Sequence, residues 1–490
     1  MAAYLAIDIG GGGGRGIAGT LEGDRLTLEE LCRFDNYHVP VGNRYYWDAF
    51  YLFHQMLQTL EKMERNFPGF DSFGIDMWGN DFALLDANGQ LTGAPRCTRN
   101  SKGEGMRRFF REVMSPEEYF MECGSQIRYG NAVFQLYERI LEEDPALRTA
   151  KKFLMFPDLF GYLFTGRYFT EYTIGTTGQL IDPGTGSWNR RLIGKLGLPD
   201  TLFGEILMPG AQKLSLLQGL FAGQREAVKY VPAASHDTAS AVTALALEED
   251  EAFASSGTWS IIGTEVEKPV VNKEVLRWNF SNEGTADGKW RLQKDVMGMW
   301  VMQNLFRIWN REYGPLTWDE IVCEAEKAEP FRSLVNLEEA PFISDADPVW
   351  MIKEYCLRSG QPVPGSIGEI ARCVYESMAV RYKYTIGQTE ALTGRKFKRL
   401  RIVGGAGKNR FLDQMIADVT GIAVSAGPYE GACIGNILMQ AEAAGQISGK
   451  KQFKSILQGS CEQQEFLPQK TALWEGPVKR YGKLCESVFI

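Results

Sequence analysis

Hydrophobic and polar residues follow the same pattern at the start of each half of this chain. An apolar run breaks at a turn of small residues and resumes as a second apolar run, at residues 3–21 and again at 252–266. The pattern predicts a strand, a tight turn and a second strand. Glycine lets the main chain approach an anion closely, and the N–H groups of such a turn converge on it. Two such hairpins indicate a duplicated domain that holds one polyphosphate from both sides.

Helical spacing and capping signals mark two long helices. Residues 48–65 place apolar side chains three and four positions apart, which predicts an amphipathic helix with a buried stripe. A second helix should begin after Ser366, because Glu369 completes a capping box, and should end at Gly394. Strands and helices therefore alternate along both halves, as they do in α/β proteins.

The second half also contains a compact strand and helix pattern. A strand at 400–403 leads into a glycine turn and a helix with a buried stripe over 411–419. A strand at 422–425 and a helix at 431–444 follow. Because the glycine turn lies at a helix N-terminus, its free N–H groups form a candidate binding site.

Polar residues interrupt the apolar segments of the first half. Asp76 and Asp81 fall within a predicted strand and turn at 73–86, and buried polar groups need partners. Residues 231–245 leave a strand and cross a turn of small residues into an alanine-rich helix. The first of these segments is a candidate pocket wall, and an acidic stretch at 247–251 is the expected domain boundary.

Composition narrows the class of protein. At 490 residues the chain exceeds the size of a single core, so two domains are expected. A net charge of −8 disfavours nucleic-acid and membrane partners, which need clustered Lys and Arg. The first residues do not resemble a signal peptide, and no apolar run is long enough to cross a membrane. Nine cysteines without a CxxC pair and three distant histidines disfavour disulfides and zinc, so a cytoplasmic protein is expected.

Seven motifs, in this order and spacing, resemble those of the FGGY family of carbohydrate kinases, most closely its rhamnulokinase-like branch. They are DIGGGGGRG, FGIDMWGNDFALLD, PDLFGYLFTG, SHDTASAV, SSGTWSIIGTE, VMGMWVMQ and GGAGKNRFLDQMIADVTG. The match runs from about residue 4 to about residue 445. It implies an α/β fold of two ribonuclease-H-like domains, as in actin, Hsp70 and hexokinase, around a central ATP cleft.

The resemblance also implies a reaction and a domain organisation. The family transfers the γ-phosphoryl group of ATP, with Mg²⁺, to a hydroxyl of a ketose, which here gives a ketose 1-phosphate. Residues 1–246 correspond to the N-terminal domain that binds sugar and phosphate, and 247–446 to the C-terminal, nucleotide-binding domain. Residues 447–490 form a C-terminal extension. Sugar and ATP are thus the expected partners of a monomer or homodimer.

The catalytic and metal-binding residues are carried over from the family motifs. Asp237 matches the catalytic aspartate, which accepts the proton of the attacking hydroxyl. A helix N-cap is the competing interpretation of this residue. Asp8, at the end of the first strand, matches a carboxylate that holds the water ligands of Mg²⁺, and Asp237 shares that ion.

The phosphates of ATP should lie against the first glycine turn, whose residues are Gly11, Gly12, Gly13, Gly14 and Arg15. Here the chain departs from the family, which usually has a hydroxyl residue in this turn. Backbone amides still bind phosphate, but one side-chain contact is missing. A degenerate kinase that acts as a ligand-binding sensor is therefore an alternative.

The resemblance places the rest of the nucleotide site in the second half. Thr258 offers a hydroxyl to the terminal phosphate, and Gln303 matches a glutamine that contacts the nucleotide. Gly404, Gly405 and Asn409 resemble the adenosine site. Each of these residues alone would more often serve packing or capping, so the assignment depends on their joint fit.

Sugar recognition requires convergent buried hydrogen bonds, which discriminate between epimers. The candidate residues are Asn80, Asp81, Ala83, His236 and Asp295. For His236, a core histidine with satisfied hydrogen bonds is the competing interpretation.

Two departures from the rhamnulokinase pattern concern the sugar. This chain has TRNSK at 98–102 where the branch typically has YRDSR, and Asp295 where it has asparagine. Asn100 and Asp295 would change which sugar hydroxyls can be paired, so L-rhamnulose is not expected to be the best substrate. A kinase for fuculose, ribulose, xylulose or a polyol is the alternative. The competing interpretation is that both positions lie outside the sugar site.

Overall fold

The computed structural model describes residues 2–339, 342 and 347–485. The chain divides into two compact units, each built from three separate segments. The first unit comprises Met1–Ala246, Glu265–Leu292 and Glu430–Cys461, and the second comprises Leu247–Thr264, Gln293–Tyr429 and Glu462–Ile490. The assignment of functions to 1–246, 247–446 and 447–490 remains a prediction.

The strands of the described residues, in chain order, are β1 (Ala2–Gly10), β2 (Gly13–Glu22), β3 (Arg25–Asp35), β4 (His38–Val41), β5 (Arg44–Trp47), β6 (Ser72–Met77), β7 (Phe82–Leu85), β8 (Lys152–Met155), β9 (Phe169–Glu171), β10 (Glu205–Leu207), β11 (Leu214–Ser215), β12 (Lys229–Tyr230), β13 (Glu251–Ser256), β14 (Trp259–Val266), β15 (Ser281–Gly284), β16 (Trp290–Met297), β17 (Arg399–Val403), β18 (Ala423–Ala426) and β19 (Gln464–Phe466).

The α-helices of the same residues are α1 (Ala49–Asn66), α2 (Glu104–Glu112), α3 (Pro116–Cys123), α4 (Ala132–Leu141), α5 (Pro145–Thr149), α6 (Phe156–Thr165), α7 (Tyr172–Thr177), α8 (Arg190–Lys195), α9 (Asp237–Thr243), α10 (Lys273–Arg277), α11 (Trp300–Tyr313), α12 (Trp318–Lys327), α13 (Pro348–Arg358), α14 (Ile367–Thr393), α15 (Arg410–Thr420), α16 (Gly431–Ala443), α17 (Gly449–Ser460) and α18 (Glu475–Cys485).

The main sheet of the first unit has the strand order β11-β12-β6-β1-β2-β3. β1 is antiparallel to β2 and parallel to β6, and this register places Asp8 opposite Arg15 on one side and Asp76 on the other. Side chains alternate across β1: Leu5 belongs to the same apolar cluster as α1, and Tyr4 to the same cluster as α16. Asp8 continues the even-numbered row and so lies on the α16 side.

The sheet of the second unit is built around β13, which is antiparallel to β14 and parallel to β17. β18 extends it parallel to β17, and β19 pairs with β18 in the antiparallel sense. One apolar cluster joins these strands to α14 and α15. In each unit, therefore, a β-hairpin supplies part of a mixed sheet flanked by helices.

The structure confirms the elements with the strongest local signals. Both predicted hairpins form, and the first predicted helix is α1, in which Tyr51 N donates to the N-cap Asp48 at 3.0 Å. The capping box of Ser366 and Glu369 is present at the start of α14, and Gly394 ends that helix in a left-handed conformation.

Other elements differ from the sequence prediction. The turn-forming residues of 175–189 predict a loop, yet the first residues of this segment belong to α7, because Glu171 caps that helix through its carboxylate. Phe411 was assigned to the buried stripe of α15 but remains partly exposed. No helix of the described residues is long and apolar enough to cross a membrane.

Candidate functional site

The glycines at and next to the turn between β1 and β2 differ in the space that surrounds them. Gly11 and Gly12 are exposed at its tip, without positive φ, and a Cβ at either would have no neighbour within 4 Å. A Cβ at Gly14 would instead lie 2.3 Å from the Phe34 ring. A side chain at residue 14 would therefore have to displace the Phe34 ring, whereas residues 11 and 12 leave room for side chains.

Asp8, at the end of β1, is held by an arginine from the opposite strand. Arg15 donates to Asp8 Oδ2 from Nε at 2.9 Å and lies 2.8 Å from it through Nη2. Arg15 also forms an ion pair with Glu430, and Cys433 Sγ lies 3.8 Å from the same carboxylate oxygen of Asp8. The guanidinium predicted to contact phosphate is thus engaged by two carboxylates here.

Asp76 is a fully buried carboxylate beside Asp8; the sequence places it in a candidate pocket wall but assigns it no role. Asn436 Nδ2 of α16 donates to its Oδ2 at 2.7 Å, and Gln440 Nε2 donates to Asn436 Oδ1 at 2.8 Å. Burial, followed by the charge of Asp8, raises the pKa of Asp76 well above its usual range. A buried carboxyl group that resists ionisation therefore lies beside Asp8.

Asp237 is the first residue of α9, and His236, not Asp237, occupies the N-cap position. Thr238 N donates to Asp237 Oδ1 at 2.5 Å, while 34% of the Asp237 side chain remains exposed. Burial and the negative charge of Asp8 raise the pKa of Asp237 to about 7. The carboxylate is therefore partly accessible and basic enough to accept a proton near neutral pH.

His236 is buried beside Asp237. Its backbone N donates to Thr173 Oγ1 at 3.2 Å, its Nδ1 lies 3.1 Å from Arg291 Nη2, and its Nε2 lies 3.4 Å from Asp237 Oδ1. Burial and the charge of Arg291 lower the pKa of His236 well below its usual value. The imidazole is therefore neutral.

Glu171 anchors the loop that carries His236 and Asp237, a role that sequence reasoning missed. Its carboxylate accepts hydrogen bonds from Thr173 N and Oγ1 at 2.8 and 2.6 Å, and from Ser235 N at 3.0 Å. Burial raises the pKa of Glu171 to about 7. The only sequence signal was an acidic residue that precedes a helix within an apolar segment.

The predicted sugar wall lies between β6 and β7 in the same unit. Asn80 has a φ of 73°, and its N donates to Thr177 Oγ1 at 3.2 Å. Asp81 is fully buried and accepts the indole N–H groups of Trp47 and Trp78 at 2.7 and 2.8 Å. Burial raises the pKa of Asp81 to about 6. Its carboxylate fixes two indole rings, and the predicted Ala83 is buried on β7.

The two departures from the rhamnulokinase pattern lie in different surroundings. Asn100 uses both ends of its amide on one residue: Oδ1 accepts from Tyr45 N at 2.7 Å, and Nδ2 donates to Tyr45 O at 2.6 Å. Aspartate could not donate the second bond. Asn100 is thus explained by the backbone of β5, whereas Asp295 lies half-buried on β16 in the second unit.

The hairpin turn of the second unit positions two predicted nucleotide contacts. Thr258 is exposed between β13 and β14, and its hydroxyl donates to Gln303 Oε1 at 3.3 Å. The N-terminal end of α11 is fixed to the same turn, because Trp300 N donates to Thr258 O at 3.1 Å. Thr258 and Gln303 are therefore adjacent.

A buried hydroxyl cluster lies at the base of this hairpin, and sequence reasoning did not identify it. Tyr382 Oη of α14 lies 2.9 Å from Ser256 Oγ and 2.8 Å from Ser260 Oγ. A Cβ at Gly404, whose φ is 96°, would be 2.7 Å from Ser256 O. Glycine is thus required where β17 meets the hairpin.

The remaining predicted adenosine residues lie next to this contact. Gly405 begins a short 3-10 helix, and Asn409 caps α15 by accepting a hydrogen bond from Leu412 N at 3.1 Å. The side chain of Asn409 thus holds the first turn of α15, and Gly404 and Gly405 lie just before it in the chain.

The carboxylates of the first unit fit a hard divalent cation. Asp8 and Asp237 are close enough for the charge of Asp8 to raise the pKa of Asp237, and a cation would relieve this repulsion. No group of three or more His, Cys, Asp or Glu side chains that could hold a metal occurs among the described residues. The ion would therefore take most of its ligands from water and phosphate, as Mg²⁺ does.

This chain is similar to known carbohydrate kinases along nearly its whole length. The family model described as "FGGY family of carbohydrate kinases, C-terminal domain" matches residues 252–444. A rhamnulokinase of Bacteroides thetaiotaomicron is 36% identical over 96% of this chain and 97% of that protein. A rhamnulokinase of Oceanobacillus iheyensis is 35% identical over 94% of this chain and 97% of that protein.

Solved structures show the same fold at low sequence identity. A ligand-bound xylulose kinase from Lactobacillus acidophilus has a TM-score of 0.83 and 14% identity, covering 100% of this chain and 98% of its own. A Plasmodium falciparum glycerol kinase with ADP has a TM-score of 0.79 and 13% identity, with coverage of 100% and 98%. At these identities the likeness establishes the two-domain α/β fold alone.

Proposed function

Because this chain belongs to the FGGY family of carbohydrate kinases and is an ATP-dependent sugar kinase, we propose that its substrate is the ketose L-rhamnulose and its product the 1-phosphate. The observation that carries the chemistry of the proposal is Asp237, a carboxylate that begins α9 with 34% of its side chain exposed, whereas the sugar is proposed from the relatives. Asp237 lies beside the neutral His236, in the unit that also contains the β1–β2 turn.

Asp237 is proposed as the general base that accepts the proton of the attacking hydroxyl. Asp8 and Asp237 would hold Mg²⁺, largely through its water ligands; the ion would neutralise charge on the phosphates. Asp76 and Arg15 fix Asp8 from either side. Glu171 fixes the loop of the base, so the chemistry depends on a preformed arrangement.

The phosphate and nucleotide contacts are proposed from both units. Backbone amides of Gly11 to Gly14 would bind phosphate, with Arg15 able to join them only by leaving one of its carboxylate partners. In the second unit the proposed nucleotide residues are Thr258, Gln303, Gly404, Gly405 and Asn409.

The sugar contacts are proposed to be Asn80, Asp81, Ala83, His236 and Asp295. We propose L-rhamnulose as the substrate, rather than the different ketose expected from the sequence, for two reasons. The relatives reported above are rhamnulokinases along nearly their whole length, which does not favour the alternative sugars or a sensor without turnover. Asn100 also has a backbone partner that accounts for it without a sugar.

A substrate panel tests this assignment. We expect kcat/KM for L-rhamnulose to exceed that for L-fuculose, L-ribulose and D-xylulose by about tenfold or more, because mispaired buried groups penalise the wrong epimer. ³¹P-coupled NMR of the product should show the phosphate on C1. If another ketose gives the highest kcat/KM, L-rhamnulose is not the substrate. If none of these ketoses supports ATP turnover, the substrate is not a ketose of this class.

A gain of function is expected at the glycine turn. Gly11→Ser or Gly12→Ser places a hydroxyl in open space at the tip, where it can add one hydrogen bond to phosphate. We expect at least one of them to lower KM for ATP by about three- to tenfold, the effect of roughly one hydrogen bond.

The matched control for this change is Gly14→Ser, whose Cβ meets the Phe34 ring at 2.3 Å. It should lower thermal stability and should not improve KM for ATP. If both tip variants fold and leave KM for ATP unchanged or higher, the turn does not contact the nucleotide as proposed.

A further inference from the structure

A buried arginine contacts His236 through Nδ1, the ring nitrogen that does not face Asp237. Arg291 is 0% exposed, and its Nη2 lies 3.1 Å from His236 Nδ1. Arg291 Nε donates to Gly284 O at 3.2 Å, and Glu283 Oε2 lies 3.3 Å from Nη2. A backbone carbonyl and a carboxylate therefore hold the guanidinium in place against the imidazole.

This contact determines where the imidazole proton resides. A guanidinium has only donors, so the nitrogen that it contacts must accept, and Nδ1 therefore carries no proton. Glu283 Oε2 also lies 3.4 Å from Nδ1, but this is longer than a good hydrogen bond, and the same oxygen lies 3.3 Å from Arg291 Nη2. An imidazole without a proton at Nδ1 carries its proton at Nε2.

We propose that Arg291 is a positioning residue that holds His236 as the Nε2–H tautomer, so that this N–H donates to an oxygen of the sugar beside Asp237. Nε2 lies 3.4 Å from Asp237 Oδ1, which is longer than a good hydrogen bond, so the donor is available to an incoming oxygen. In the other tautomer a lone pair on Nε2 would face the carboxylate. The tautomer is a property of the chain, whereas its use by the sugar rests on the proposed function.

The tautomer can be measured without any assay of activity. The chain has only three histidines, so ¹⁵N-histidine labelling gives a simple spectrum, and a His236→Gln variant identifies the signals of His236. In the wild-type protein at neutral pH, the ¹⁵N shifts should show a proton on Nε2 and none on Nδ1. A proton on Nδ1 in the wild type would overturn the proposal, whatever the enzyme's substrate.

Variants of Arg291 separate positioning from packing. Arg291→Met keeps the length of the side chain but has no donor, so we expect a mixture of tautomers; Arg291→Lys keeps a cationic donor and should retain the Nε2–H form. We expect kcat/KM for the sugar to fall about tenfold in Arg291→Met, the scale of one misdirected hydrogen bond, while KM for ATP changes less than about twofold. Arg190→Met, at an exposed arginine of the same unit, is the control and should match the wild type.

A double-mutant cycle completes the test. If Arg291 acts through His236, Arg291→Met should have little further effect on kcat/KM in a His236→Ala background. Additive effects would show that Arg291 acts by another route and would overturn the positioning role. A confirmed tautomer with no turnover of L-rhamnulose by the wild type would leave the tautomer standing and refute only the proposed substrate.

Discussion

Asp237→Asn should lower kcat by about 10²- to 10⁴-fold, which corresponds to roughly 3–5 kcal/mol of activation free energy. Asparagine keeps the shape of the side chain but cannot accept the proton of the attacking hydroxyl. KM for ATP should change little, because Asp237 would reach the phosphates only through the water ligands of Mg²⁺ and the direct nucleotide contacts are proposed at other residues. Steady-state kinetics with the best ketose and saturating ATP measures the effect.

The acid side of the pH profile gives a second readout of the same prediction. The pKa of Asp237 is raised to about 7, so the carboxylate gains a proton as the pH falls through that value and the base is lost. The wild-type kcat/KM should therefore decline as the pH falls through this range, and a bound cation would shift the decline to lower pH. The Asp237→Asn variant should not show this decline. Asp182→Asn, a turn aspartate of the same unit, should behave as the wild type. A kcat for Asp237→Asn above about a tenth of the wild-type value would exclude the base role.

Among glycine-to-alanine substitutions in the first unit, Gly435→Ala should lower stability the most. A Cβ at Gly435 of α16 would lie 1.8 Å from Ser240 O of α9, and this backbone atom cannot rotate away. We expect the free energy of unfolding to fall by about 1–3 kcal/mol or more, as in overpacked cores. Because Asp237 begins α9, kcat should fall as well; urea unfolding and kinetics on the same sample measure both effects.

The same substitution at an open position provides the control. A Cβ at Gly194, in α8 of the same unit, would have no neighbouring atom within 4 Å. Gly194→Ala should therefore be neutral or stabilise the protein by roughly 0.5–1 kcal/mol, the usual advantage of alanine in a helix. A Gly435→Ala variant as stable as the wild type would mean that α9 and α16 separate at little cost.

The sequence was sufficient where the structure depends on neighbouring residues. Ser366 and Gly394 cap the two ends of α14 through contacts a few residues away, so their signals could be interpreted without knowing the fold. The hairpins followed from alternation and glycine alone. These features define the elements and the order in which they occur.

Contacts between distant segments could not be predicted in this way. Arg291 meets His236 across 55 residues, and Asn436 meets Asp76 across 360. Nothing local distinguishes these side chains from surface polar groups, because only the assembled unit brings them together. Asn100 shows a related limit of local patterns: its departure from the family pattern predicts a change of substrate, but the sequence gives no sign that its amide pairs with the backbone of Tyr45.

The dependence of the first unit on α16 also constrains its biosynthesis. The carboxylate of Asp76 and the carbonyl of Leu5 accept hydrogen bonds from Asn436 and Gln440, which lie 360 and 435 residues further along the chain. Domains usually fold from the N-terminus while the ribosome is still translating, but in this unit the helix that covers one face of the sheet is made long after the strands. All six strands lie before residue 231, so the nascent chain exposes the α16 face of the sheet until the last segment of the unit emerges, which is the period when chaperones would be needed.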